Sequence, residues 1–179
     1  AVRRHAVMRT ICALTILLAF ALMPVVLMWP PRMAEITGEG FWMLGWIWAL
    51  LSFAAVVGSS LVTALLRRMR REVLLCGLAL WQCALIAGAA LAGALAPVLG
   101  CLVLYEVAIA AREPVMAAWM NEHVAPELRA TMLSVKGMSF TFGGAVGLVC
   151  LGLVARGHGI AAAWLGAAAV YALLAPGSL

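Results

Sequence analysis

From Val73 to Tyr105 the chain runs 33 residues without one charged side chain. A bilayer crossing needs about 20 apolar residues, and a run this long exceeds one span of ordinary tilt. The stretch Gly93-Ala-Leu-Ala-Pro97 is its natural break, because Gly and Pro punctuate helices. Further uncharged runs lie on either side of it, at Thr10–Trp29 and Phe41–Leu66. Only 11% of the 179 residues are charged and 66% are hydrophobic, whereas soluble domains carry about 25% charged residues. So few charges cannot cover the surface of a soluble fold. The mean hydropathy of +1.11 agrees.

The reading is an all-α polytopic membrane protein, with residues 1–179 forming one six-helix domain. The spans fall at about 10–29, 41–66, 73–95, 98–120, 130–155 and 160–175. Pro30-Pro31 should stop the first helix and open a polar loop, Pro30–Gly40. Phe41, Trp42, Trp46 and Trp48 crowd the start of the second helix, as an interfacial aromatic belt does. Asn121–Arg129 and the turn Arg156-Gly157-His158-Gly159 separate the last three spans, and Pro176-Gly177 closes the sixth. Lys and Arg distribute unevenly between the two sides. Arg3, Arg4, Arg9, Arg67, Arg68, Arg70, Arg71 and Arg129 fall on one, Arg32 and Arg156 on the other. The positive-inside rule makes the basic side, with both termini, cytoplasmic.

Four ionisable residues fall within spans, where each costs a few kcal/mol if left to lipid. Counting about 1.5 Å per residue places Glu106 roughly 12 Å from the outer end of the fourth helix, near the midplane. A lone midplane carboxyl suits proton coupling or recognition of a cationic solute; the bland alternative is a protonated Glu bonded inside the bundle. Arg112 and Glu113 lie at a depth similar to that of Lys136 on the next helix. A Glu113–Lys136 pair is therefore expected, with Arg112 held by a carbonyl or another helix; the alternative is that both cations snorkel to the headgroups.

Other signals are weaker. Cys12, Cys76, Cys83, Cys101 and Cys150 lie in apolar runs without C-x-x-C spacing, and read as packing residues. His5, His123 and His158 lie at a terminus or in loops, with no metal-ligand spacing. No cofactor or metal is expected. Nucleic acid is not an expected partner of the +5 net charge, since the arginines sit in short clusters between apolar runs. Gly143-x-x-x-Gly147, Gly88/Ala92, Ala89/Gly93 and Ala162/Gly166 are small-residue pairs that let helices approach closely. The first apolar stretch is too long for a signal-peptide core. The Ala start reads as a fragment or a processed chain.

At the fourth-to-fifth helix junction the sequence becomes more specific. Arg112-Glu-Pro-Val-Met-Ala-Ala-Trp-Met-Asn121 is followed by Pro126, Arg129, Ala130, Thr131 and Ser134. This resembles the tenth helix, cytoplasmic loop and eleventh helix of major facilitator superfamily transporters, whose C-terminal halves often carry a Pro-x-x-x-Arg-Ala-Thr-x-x-Ser-like run there. Arg67–Arg71 is similar to the family's basic eighth-to-ninth helix loop. It departs from the family motif in having Ala64, Leu65 and Leu66, not an acid, before the arginines; Glu72 is the nearest substitute. The resemblance covers essentially the whole chain, as helices seven to twelve. It implies an MFS-type half-bundle of two inverted three-helix repeats and a missing N-terminal six-helix half as partner.

The resemblance also implies secondary active transport of a small-molecule substrate across the lipid bilayer of a cell membrane, with a bacterial inner membrane expected. Glu106 and Tyr105 would be cavity candidates, with Trp46 or Trp48 in its outer part. Glu122 and Arg129 would belong to the loop that packs the two halves. An intramembrane protease is the enzymatic alternative, but Gly58-Ser59-Ser60 lacks the final Gly of a nucleophile motif. A non-transporting six-helix scaffold is the structural one.

Overall fold

The computed structural model describes residues 2–38 and 42–177. Phe41, and the side chains of Arg3, Arg4, His5 and His123, lie outside the described residues. The described chain is helical almost throughout: α1 Val2–Thr37, α2 Trp42–Leu66, α3 Arg71–Leu91, α4 Leu95–His123, a 3-10 turn Pro126–Leu128, α5 Arg129–His158 and α6 Ile160–Gly177. In α1 to α5 the described helices are long and apolar enough to cross a bilayer; α6 is shorter and equally apolar. The protein is a multi-pass membrane protein.

The helices do not pack in chain order. The principal pairs are α1 with α5, α2 with α4, and α3 with α6, followed by α3 with α4 and α1 with α6. Exchanging α1–α3 for α4–α6 maps this pattern onto itself, the signature of two inverted three-helix repeats. Each repeat hands its first helix to the middle helix of the other. Small residues make those exchanges possible. A Cβ at Gly58 on α2 would collide with the backbone of Val107 on α4, and one at Gly143 or Gly147 on α5 with the backbone of Ile16 or Phe20 on α1. The G-x-x-x-G of α5 is thus a backbone-to-backbone seam.

The prolines correct the sequence reading. Pro30 and Pro31 do not stop α1, which continues to Thr37. Two backbone donors are lost, but the final turns are fastened from elsewhere. Met33 is buried, and Arg32 reaches across to donate to the Ala92 carbonyl at 3.0 Å, at the C-terminal cap of α3. Arg32 also pairs with Glu35 at 3.2 Å, and the Thr37 hydroxyl donates to the Met33 carbonyl. Tertiary contact overrides the local breaker.

The α3–α4 break falls where expected but is shorter, at residues 92–94, and Pro97 sits in the first turn of α4, where its missing N–H has no partner to lose. The turn at Arg156–Gly159 narrows to one residue. Arg156, Gly157 and His158 stay in α5, and Gly159 reverses the chain at φ 86°. Such a φ favours glycine. Likewise α4 runs on to His123, which leaves Val124 and Ala125 before the 3-10 turn, and Pro176 and Gly177 lie in α6.

Candidate functional site

Glu106 occupies the wall of a cavity of about 250 Å³ between α1, α2 and α4. The α2 side is built from Trp48, Leu51, Ser52 and Ala55, positions three, four and seven apart and so on one face. Val25, Val26 and Trp29 come from α1, and Leu102, Tyr105 and Glu106 from α4. Trp29 and Trp48 stack on each other in the wall, their centroids 6.0 Å apart and planes 17° off parallel. The Ser52 hydroxyl is turned back to the Trp48 carbonyl at 2.9 Å. The cavity is therefore mostly apolar and aromatic, with one carboxylate. Among the described residues Glu106 has neither an ion pair nor a hydrogen bond.

Tyr105 lines the same cavity but sends its hydroxyl away from it. The Tyr105 and Tyr171 hydroxyls meet at 2.6 Å in the core, with rings edge to face at 81°. Both rings are essentially fully buried. Cutting one hydroxyl strands the other at a cost of about 1–3 kcal/mol, whereas cutting both removes the need for either. Tyr171→Phe is thus expected to melt lower than the double variant Tyr105→Phe/Tyr171→Phe, which thermal unfolding in detergent checks.

Trp46 is not part of this site. Two residues from Trp48, it points to the opposite side of α2 and is 75% exposed. Trp42 is similarly exposed, as a lipid-facing belt residue would be.

The three charges nearer the other end of the bundle separate into two roles. Lys136 Nζ on α5 donates to Glu113 Oε2 on α4 at 2.9 Å. Arg112 is only 7% exposed and turns inward, and its Nη1 has no hydrogen-bond partner among the described residues.

The loop arginines also divide. Arg71 makes a two-pronged bond to Glu122, with Nη1 to Oε2 and Nη2 to Oε1 both 2.7 Å, tying the start of α3 to the end of α4. Arg67, Arg68, Arg70 and Glu72 are exposed; the acid bonded to the basic loop is Glu122, while the sequence-adjacent Glu72 acts on Arg71 through its charge. Arg129 Nη2 donates to the Asn121 carbonyl at 3.0 Å, closing the turn between α4 and α5. Since Arg71 and Glu122 are part-exposed, their pairing is worth about 1 kcal/mol at most. A double-mutant cycle with Arg71→Ala and Glu122→Gln is expected to return a coupling of that size, smaller at high salt.

Sequence reasoning passed over Tyr171 and the Arg71–Glu122 bond, and it placed Trp29 at the end of the first span and not at the cavity. Only the tyrosines carried a usable signal: they are the chain's only two, both in apolar runs where a lone hydroxyl needs a partner.

Against known proteins, the family model described as Major Facilitator Superfamily matches residues 10–178. No curated protein and no solved structure matches the chain.

Proposed function

Since the chain belongs to the major facilitator superfamily, a family of membrane transporters, we propose that it is the C-terminal half, helices seven to twelve, of a proton-coupled secondary transporter. In this reading a small solute crosses by alternating access, between this half and an N-terminal six-helix half. The observation that carries it is Glu106: one unpaired carboxylate in a cavity walled by stacked tryptophans. Held near the midplane, such a group exchanges its proton with whichever side the cavity faces, and the solute's presence biases that exchange. The basic ends, Arg67–Arg71 and Arg129, face the cytoplasm in this arrangement, with both termini on the same side.

The test reconstitutes the chain with its N-terminal half in proteoliposomes carrying an internal pH-sensitive dye, and presents small solutes in turn. The expected result is solute-dependent proton movement with at least one chemical class, and counterflow of the same solute. Counterflow without proton movement removes the coupling; neither, across cationic, anionic and neutral panels, removes the transporter reading. A C-terminal reporter tests the orientation, which an extracellular signal overturns.

A further inference from the structure

A second, much smaller cavity lies between α1, α4 and α5, with Leu75 of α3 and Leu174 of α6 closing it. Its volume is about 30 Å³, room for a water-sized or halide-sized guest. Arg112 lines it, 7% exposed, with Nη1 unpartnered. Lys136 lines it too, and so does Glu113. Glu113 is committed to Lys136, and its side chain is 54% exposed. Thr15 contributes a hydroxyl whose proton goes to the Ile11 carbonyl, leaving its oxygen able only to accept.

Among the described residues the charges lining this space are two cations and one anion, so one positive charge is left over. It sits on a guanidinium buried among helices, where an uncompensated charge is expensive. Water would fill the hydrogen-bonding vacancy but not the charge deficit. We infer that the Arg112 cavity is a binding site for one small monovalent anion of halide size, held by the free Arg112 N–H and by the field of Lys136. The anion would neutralise the α4 charge that packs against α1 and α5, and so couple stability of the bundle to halide concentration. This site shares no lining residue with the Glu106 cavity, so it stands or falls apart from the transport reading.

The experiment is thermal unfolding of the detergent-purified chain, followed by its seven tryptophans. Chloride, bromide, nitrate, formate and gluconate are compared at constant ionic strength, with and without anionic lipid. Chloride and bromide are expected to raise Tm saturably, by about 3–6 °C at ten times the dissociation constant, and gluconate not at all. Nitrate or formate acting in place of halide would overturn the halide size class. Arg112→Met is expected to abolish the halide dependence, and Lys136→Gln to weaken it several-fold. Should Arg112→Met fail to fold, chloride-35 NMR on the unaltered chain decides: broadening of the chloride signal that bromide reverses supports the site, and no broadening overturns it. Equal Tm in chloride and gluconate, halide dependence that survives Arg112→Met, or protection by anionic lipid alone would each sink the proposal.

Discussion

Gly147→Leu is expected to leave the chain without its native bundle. The α5 backbone at this position lies against the Phe20 carbonyl of α1, and even a Cβ there meets backbone, which cannot rotate out of the way as a side chain could. The helices must move apart, and Gly143 one turn earlier loses its contact with Ile16 at the same time. Overpacking an ordinary core costs about 1–3 kcal/mol. A backbone seam without lateral freedom is expected at about 3 kcal/mol or more, a large share of the whole stability of a domain. The measurement is the monodisperse fraction after detergent extraction, with thermal unfolding of what remains. Gly152→Leu on the same helix is the comparison, since a Cβ there meets only the tip of Met28 at 4.0 Å. If both variants behave alike, the seam is not what holds α5 to α1.

Glu106→Gln is expected to separate solute movement from the proton gradient. With one proton coupled to each solute, one pH unit sustains about a tenfold solute gradient, because one unit is about 1.36 kcal/mol. The glutamine variant keeps the shape of the cavity and the Trp29–Trp48 wall but carries no titratable proton. Its accumulation ratio should fall to about one while counterflow persists. Accumulation that survives in Glu106→Gln would assign coupling elsewhere; loss of counterflow as well would make Glu106 a solute ligand.

The spans were legible because lipid imposes a one-dimensional rule: keep charge out for about 20 residues. Depth was legible for the same reason. The fixed rise per residue places Glu113 and Lys136 at one level on consecutive antiparallel helices, and in the fold they meet at 2.9 Å. Azimuth was much less legible. Arg112 and Glu113 share a depth but differ by about 100° around α4, and one goes to the buried cavity while the other goes to Lys136 at its edge. Trp29 ends the first predicted span, yet it is 5% exposed and stacks on Trp48. Trp46 and Trp48 read alike and point apart. The partners of the helix-end arginines were not legible. Nothing local connects Arg71 to Glu122, or Arg32 to the Ala92 carbonyl, and the second of these fastens the part of α1 that continues past Pro30-Pro31.

The exchange of first helices between the two repeats has a consequence for how the chain is made. α1 finds its main neighbour only when α5 exists, more than a hundred residues later, while α2 can settle on α4. During synthesis the Gly143–Gly147 seam arrives late to a helix already waiting in the bilayer. The first three helices alone lack the surfaces they are shaped for, and long sequence separation makes this closure slow. A ribosome stalled after α3 would leave α1 with its Ile16–Phe20 face open to lipid or to quality control. The bundle is thus completed only by its fifth and sixth helices, since α3 likewise waits for α6, and the half-built intermediate is an expected target of degradation.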